Sequence, residues 1–229
     1  MDRRREGQGV RVLVIGSSGG IGSALGLAYA ARGATVTGLS RRDDGLDVTD
    51  ESSIERGLGA LDGRFDRIVV ATGALELDGA APEKSLRALS AGTMTAQFVL
   101  NAVGPALVLK HALRLMPRDA DCRFAALSAR VGSIGDNRLG GWYSYRAAKA
   151  ALNQLLRTAS VEVARTHPRA IIAAIHPGHV ATPLALKYGG ALPSVPPSLA
   201  ADRIIDVLES LGPADSGGFF DHAGKTVPW

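Results

Sequence analysis

Val10-Arg11-Val12-Leu13-Val14-Ile15-Gly16-Ser17-Ser18-Gly19-Gly20-Ile21-Gly22 runs from an apolar segment into spaced glycines, and an Ala/Leu-rich stretch, Ser23 to Arg32, follows. The spacing predicts a buried strand, a glycine turn and a helix. Glycines let the backbone turn sharply and approach a pyrophosphate, while the free amides and dipole of a helix N-terminus favour negative charge. Gly16, Gly20 and Gly22 form G-x-x-x-G-x-G rather than the commoner G-x-G-x-x-G. A tight strand-helix connection without a ligand is the other reading, and the flanking strand and helix favour nucleotide binding.

Working outward, Ala34–Leu39 reads as the next strand and ends in Ser40-Arg41-Arg42. An NAD-binding unit usually offers a carboxylate there, whereas Arg41 suits a 2′-phosphate. NADP(H) is therefore preferred and NAD(H) possible; plain surface solvation also explains both arginines. In Leu46–Asp50, Asp50 or Thr49 suits a helix cap before Glu51. Asp47 reads as a turn residue or an adenine contact. Arg67–Ala74 is a strand ending in small residues, fit for close backbone approach to a ligand, and Pro82–Leu89 predicts a short helix. Thr93–Met116 has helical spacing interrupted by Asn101, Gly104 and Pro105, and Pro117 ends it. Asn101 either satisfies a kink or acts as a polar relay.

Cys122–Ser128 is a strand, and Ala170–Ile175 counts as the sixth. His176 and His179 flank Pro177-Gly178 without a sensible third ligand, so they read as structural or surface histidines and no metal is expected. Leu184–Pro197 lacks periodicity and reads as a loop over a pocket, Ser198–Leu211 as a helix, and Gly217–Asp221 as a last strand. The tail to Trp229 should pack back. Strands alternating with helices imply an α/β, Rossmann-type parallel sheet covered on both faces.

At 229 residues, 46% hydrophobic with 28 glycines, the chain suits one domain, 1–229, with 1–9 a flexible tail and 184–197 a substrate loop. Cys122 is the single cysteine and reads as a small core hydrophobe. The net charge of +4 comes with interspersed acids and no basic block holding aromatics, so no nucleic-acid partner is expected. Val10–Ile15 is too short for a signal-peptide core or a membrane span, which makes a cytoplasmic protein with no membrane partner the expectation.

Gly140-Gly141-Trp142-Tyr143-Ser144-Tyr145-Arg146-Ala147-Ala148-Lys149 opens a long helix expected to run to about residue 166, stopped by His167-Pro168. Tyr145 and Lys149 stand one turn apart on one face. A charged lysine beside a tyrosine favours the phenolate and lowers a phenol pKa of about 10.

The glycine turn, Ala71-Thr72-Gly73, Asn101, a serine near Gly132, Tyr145-x-x-x-Lys149, and Pro177-Gly178 with Thr182 together resemble the short-chain dehydrogenase/reductase family over nearly the whole chain. The details look most like its C-factor-like and sniffer-like carbonyl reductase branch. The resemblance implies an NAD(P)(H)-dependent oxidoreductase acting on a small carbonyl or alcohol, with Tyr145 as acid/base, Lys149 lowering its pKa and holding the nicotinamide ribose, and Asn101 ordering a proton-relay water. It places Gly16, Ser18, Gly20, Ile21 and Gly22 at the pyrophosphate region. Asp47 and Val48 lie by adenine, Ala71, Thr72 and Gly73 by the cofactor backbone, and Pro177, Gly178, Val180 and Thr182 by the nicotinamide. A homodimer or homotetramer through the Asn101 and Tyr145 helices is implied as well. The family usually has Thr where Ile15 stands and Asn-Asn-Ala-Gly where Val70-Ala71-Thr72-Gly73 stands. Its catalytic serine position falls on Ala129, leaving Ser128 as substitute donor and Ser133 as the alternative. The other functional reading is a nucleotide-binding signalling or regulatory protein of the C-factor type with little or no catalysis.

Overall fold

Alternate residues of a strand point to opposite faces, and both faces of β1 (Arg11–Ile15) are apolar: Val12 and Val14 enter one core, Leu13 and Ile15 the other. β5 (Ala170–His176) repeats the pattern, with Ile171, Ala173 and Ile175 on the first side and Ile172 and Ala174 on the second. Such two-faced strands must be covered by helices on both sides. The computed structural model describes residues 9–77, 79–182, 187–188 and 193–229. Among them, β1, β2 (Thr35–Leu39), β3 (Arg67–Val70), β4 (Cys122–Leu127), β5 and β6 (Phe219–Asp221) form one parallel sheet in the order β2-β1-β3-β4-β5-β6. Ala170–His176 is thus the fifth strand of the chain and not the sixth.

One face carries α1 (Gly20–Ala31) and, near the chain's end, α7 (Pro197–Ser210), whose Leu25, Tyr29, Ile204 and Leu208 are buried. The other face is covered by α3 (Glu51–Gly59), α5 (Gly104–Ala112) and α6 (Tyr143–Val163), through Ile54, Leu58, Val108, Leu152 and Leu156. The short α2 (Arg41–Asp44) follows β2, and Asp50 caps α3 by accepting from the Ser52 N–H at 3.0 Å. Cys122 is free and buried in the second core, and burial pushes its thiol up to about 12.

α4 (Ala91–Phe98) passes into one π turn, Val99–Val103, before α5. The whole run Ala91–Leu115 is long and apolar enough by length and composition to cross a membrane, and here its Ala102, Val108, Leu109, Ala112 and Leu115 are core members. The helix expected at Pro82–Leu89 reduces to one 3₁₀ turn, Leu86–Ala88, because Glu83 is bonded to a distant helix end. At the C-terminus the Trp229 ring stacks on Phe219 at 6.2 Å, and its carbonyl accepts from the Gly135 N–H at 2.7 Å.

The strand order reverses between β1 and β3, since β2 lies to one side and β3 to β6 to the other. Ligands of open α/β sheets bind in the crevice outside the strand ends at such a reversal.

Candidate active site

The crevice floor is the turn after β1. Gly16 has φ +86°, and a Cβ on Gly22 would lie 2.1 Å from the Gly16 carbonyl oxygen, so α1 packs on the turn only with glycine there. The first amides of α1 have no intrahelical partner, and no acidic side chain occupies its first turn. Opposite, β3 delivers Ala71, Thr72 and Gly73. The Thr72 Oγ1 is buried without a protein partner, and its Cγ2 lies 3.0 Å from where a Gly16 Cβ would stand. Thr182, after β5, reaches within 3.3 Å of the equivalent point on Gly20. A glycine floor, unbonded helix amides and an orphaned hydroxyl fit a dinucleotide.

At the end of β2, Arg41 is 79% exposed and its Nη1 stands 4.0 Å from Asp47 Oδ2. Asp47 adopts the turn reading: its Oδ1 accepts from the Thr49 N–H at 2.9 Å and the Thr49 hydroxyl at 2.7 Å, which holds its pKa below the ordinary range. Val48 is a core residue. Asp43 and Asp44 turn back onto Ser40.

Beside this floor lies a cleft of about 700 Å³. Ile21, Ser128, Ala129, Tyr145, His176, Pro177, Gly178, Val180 and Thr182 line it. Half of the substrate loop expected at 184–197 falls outside the described residues; of the rest, Tyr188 lines the cleft, with its hydroxyl on Glu76 at 2.5 Å.

Tyr145 sits in the first turn of α6. Gly140, Gly141 and Trp142 all have positive φ, and the Trp142 N–H donates to the Glu83 carbonyl at 2.5 Å. The Glu83 carboxylate accepts from the Ser144 N–H at 3.2 Å and from the Ser144 hydroxyl, and both residues are buried. A carboxylate from 61 residues away thus caps the helix that carries the tyrosine, where anions are favoured. Glu83 is not among the site residues expected from the sequence, and nothing marks it out in Pro82–Leu89, where Lys84, Ser85 and Arg87 are polar as well.

Lys149 is 2% exposed, donates to the Leu127 carbonyl at 2.9 Å, and holds its Nζ 5.8 Å from the Tyr145 ring centroid. Burial pushes the lysine down to about 7 and the tyrosine up to about 12. This corrects the expectation from the helix spacing: in the chain itself burial moves the phenol up, away from the phenolate.

Asn101 is fully buried in the π turn. Its amide nitrogen donates to the Ala74 carbonyl at 2.9 Å and to Gln97 Oε1 at 2.7 Å, while Oδ1 accepts from the Ala74 N–H at 3.2 Å. Gly73, with φ +143°, separates it from the lysine: a Cβ there would lie 2.8 Å from Asn101 Oδ1 and 3.2 Å from Lys149 Nζ. Ser128 reaches the cleft wall, but its hydroxyl donates to Asn153 Oδ1 at 2.7 Å. Ser133 is not on that wall and accepts from the Asp136 N–H at 3.1 Å. His176 packs edge-on to His222 at 6.3 Å, and burial pushes it down to about 4, leaving it neutral near pH 7.

A parallel sheet with a glycine-floored crevice at its reversal, beside a cleft lined by a half-buried tyrosine with a buried lysine behind it, defines a dinucleotide-binding α/β protein. The model of the short chain dehydrogenase family matches residues 10–190, and the chain belongs to that family of oxidoreductases. It is 35% identical over 137 residues to C-signal of Myxococcus xanthus, covering 59% of this chain and 78% of that protein. It is 28% identical over 233 residues to 1-hydroxy-2-glutathionyl-2-methyl-3-butene dehydrogenase of Rhodococcus sp. strain AD45, covering 95% and 99%. Among solved structures, a putative short-chain dehydrogenase/reductase from Burkholderia multivorans with bound NADP superposes with a TM-score of 0.78 at 26% identity, covering 96% and 99%. Family membership makes a nicotinamide dinucleotide the cofactor and a small molecule the substrate.

Proposed function

We propose that the protein interconverts a carbonyl and an alcohol with NADP(H), using Tyr145 as acid and base. The observation that carries this reading is Tyr145, half-buried on the wall of the cleft that adjoins the glycine floor, with the buried Lys149 Nζ behind it at 5.8 Å from its ring centroid. When bound, the nicotinamide supplies or accepts the hydride. Tyr145 gives its phenolic proton to the carbonyl oxygen in reduction and takes one from the alcohol in oxidation. Lys149, on the same helix face, supports the phenolate when it carries its proton. Asn101 holds the Gly73-Ala74 backbone that Lys149 packs against. Gly16, Ser18, Gly20, Ile21 and Gly22 hold the pyrophosphate region, and Pro177, Gly178, Val180 and Thr182 wall the nicotinamide.

The NADP(H) preference is supported by the exposed Arg41 after β2, by the absence of an acid ending that strand, and by the NADP held in the Burkholderia multivorans structure. The reading includes a homo-oligomer through α4, α5 and α6, supported by the exposed Val103, Leu155 and Val161.

Replacing Tyr145 with Phe tests the mechanism. Carbonyl reduction should fall by about 10²–10⁴-fold, while NADPH affinity, read by fluorescence titration, stays within a few-fold. Undiminished turnover in the variant sinks the role given to Tyr145. The signalling reading draws support from Ala129 at the expected serine position and from the similarity to C-signal. NADPH binding with no carbonyl reduced from a broad panel would favour it.

A further inference from the structure

The outer half of the cleft is built from the loop after β4 and the first turn of α6, and it contributes Arg130, Asp136, Arg138 and Arg146 to the lining. Three guanidiniums face one carboxylate. Arg130 takes that carboxylate, with Nε 2.6 Å from Asp136 Oδ2, and its Nη1 lies 3.6 Å from Asp221 Oδ2. Arg146 donates instead to three backbone carbonyls, of Gly141 at 2.9 Å, Gly140 at 3.0 Å and Val131 at 3.3 Å. Carbonyls fix its position without cancelling its charge, and a guanidinium has five N–H groups, so two remain. Arg138 is exposed and has no partner among the described residues.

Nearby acids are already engaged: Glu83 by Ser144, and Glu76 by Lys187 and Tyr188. The cofactor's phosphates do not account for this charge either. Of the residues assigned to them, Gly16, Ser18, Gly20, Gly22 and Arg41 are absent from the cleft wall, and Ile21 reaches it with an apolar side chain. The rest of the outer wall is apolar, with Val131, Leu139, Trp142 and Leu75. An apolar body with an anion at its far end complements such a surface.

We infer that the substrate carries a carboxylate remote from its carbonyl or carbinol carbon, received by Arg138 and the two spare N–H groups of Arg146, while the reacting carbon lies at Tyr145. The inference rests on the carbonyl–alcohol reading of the cleft. It makes Arg138 a specificity residue, since it sits on the solvent side and can be changed without opening the core.

The test compares keto acids with their methyl esters, namely levulinate and β-benzoylpropionate, under saturating NADPH. The acid should exceed its ester in kcat/KM by about tenfold, and the ratio should shrink as salt is raised. In Arg138→Gln the ratio should collapse towards one, chiefly through a raised KM for the acid. Equal turnover of acid and ester, or a ratio untouched by Arg138→Gln, overturns the inference and leaves the redox reading standing. Calorimetric titration of the protein–NADPH complex with β-benzoylpropionate reads the anion site without turnover. Binding that Arg138→Gln weakens about tenfold, in a protein that reduces neither acid nor ester, sinks the redox reading and keeps the anion site. Absence of such binding together with absence of turnover sinks both.

Discussion

At the residue scale the decisive positions are Ala129 and Lys149. The Ser128 hydroxyl is spent on Asn153, and the adjacent Ala129 shares the cleft wall with Tyr145. Removing an oxyanion donor from a built site typically costs 10²–10³ in rate, and an added hydroxyl without supporting bonds recovers part of that. Ala129→Ser should therefore raise kcat/KM for a ketone by about tenfold. Ser128→Ala should chiefly lower stability, by about 1–3 kcal/mol, because it leaves a buried amide oxygen unpaired. Steady-state kinetics and urea melts of the two variants separate these outcomes, and a rate loss in Ser128→Ala as large as that of Tyr145→Phe would contradict them. Lys149 binds its proton less tightly folded, at about 7, than at its ordinary 10.5. The burial penalty is full below pH 7 and is relieved as pH rises through the window from 7 to 10.5, where the unfolded chain holds the extra proton. Stability of the chain alone should climb there by at most about 1.4 kcal/mol per pH unit, and Lys149→Met should flatten the climb in chemical-denaturation curves taken at several pH values.

At the element scale the helix that carries Tyr145 depends on a segment that is not helical. Glu83 contributes its backbone carbonyl to Trp142 and its carboxylate to Ser144, so it fixes both the left-handed entry and the first turn of α6. Glu83→Ala should destabilise the fold by about 1–2 kcal/mol, and Glu83→Gln, which keeps the shape and loses the charge, by less. Because Tyr145 lies in that same turn, kcat should fall more than KM rises. A Glu83→Ala protein with wild-type melting and wild-type kcat would show that α6 needs no such cap. The same contact explains why Pro82–Leu89 is not the helix its sequence predicts: its geometry is set by a partner 61 residues away, which no local pattern reports. The strands were legible because parallel strands buried on both faces must be continuous apolar runs, as Val12–Ile15 and Ala170–Ile175 are. Asn101 was legible as a polar residue in an apolar helix, whereas its bonds to Ala74 required the fold.

At the scale of the whole molecule, what the sequence carried was the cofactor face, since strand, glycine turn and helix are contiguous there. The lysine and tyrosine pKa shifts were not readable, because desolvation comes from every element packed around the pair and reverses the sign expected from their spacing. The cationic cleft was hidden for the same reason: Arg138 and Arg146 are unmatched only once the surrounding acids have found their partners. The crevice at the sheet reversal joins residues from distant parts of the chain: Gly16 and Gly22 after β1, Thr72 after β3 and Thr182 after β5. A dinucleotide bound there bridges all three and is lost on unfolding, so it must stabilise the native state by mass action. At a hundredfold excess over Kd the gain is about 2.7 kcal/mol, which for a chain of this size raises Tm by about 5–10 °C. Differential scanning fluorimetry with NADPH should show that shift. NADH at equal concentration should give a smaller one, and Arg41→Ala should narrow the difference between them. In Gly22→Ala the new methyl would stand 2.1 Å from the Gly16 carbonyl oxygen, so the turn must open and the NADPH shift should vanish even where the variant still melts cooperatively. A Gly22→Ala protein stabilised by NADPH as well as the wild type would remove the glycine turn from the binding site.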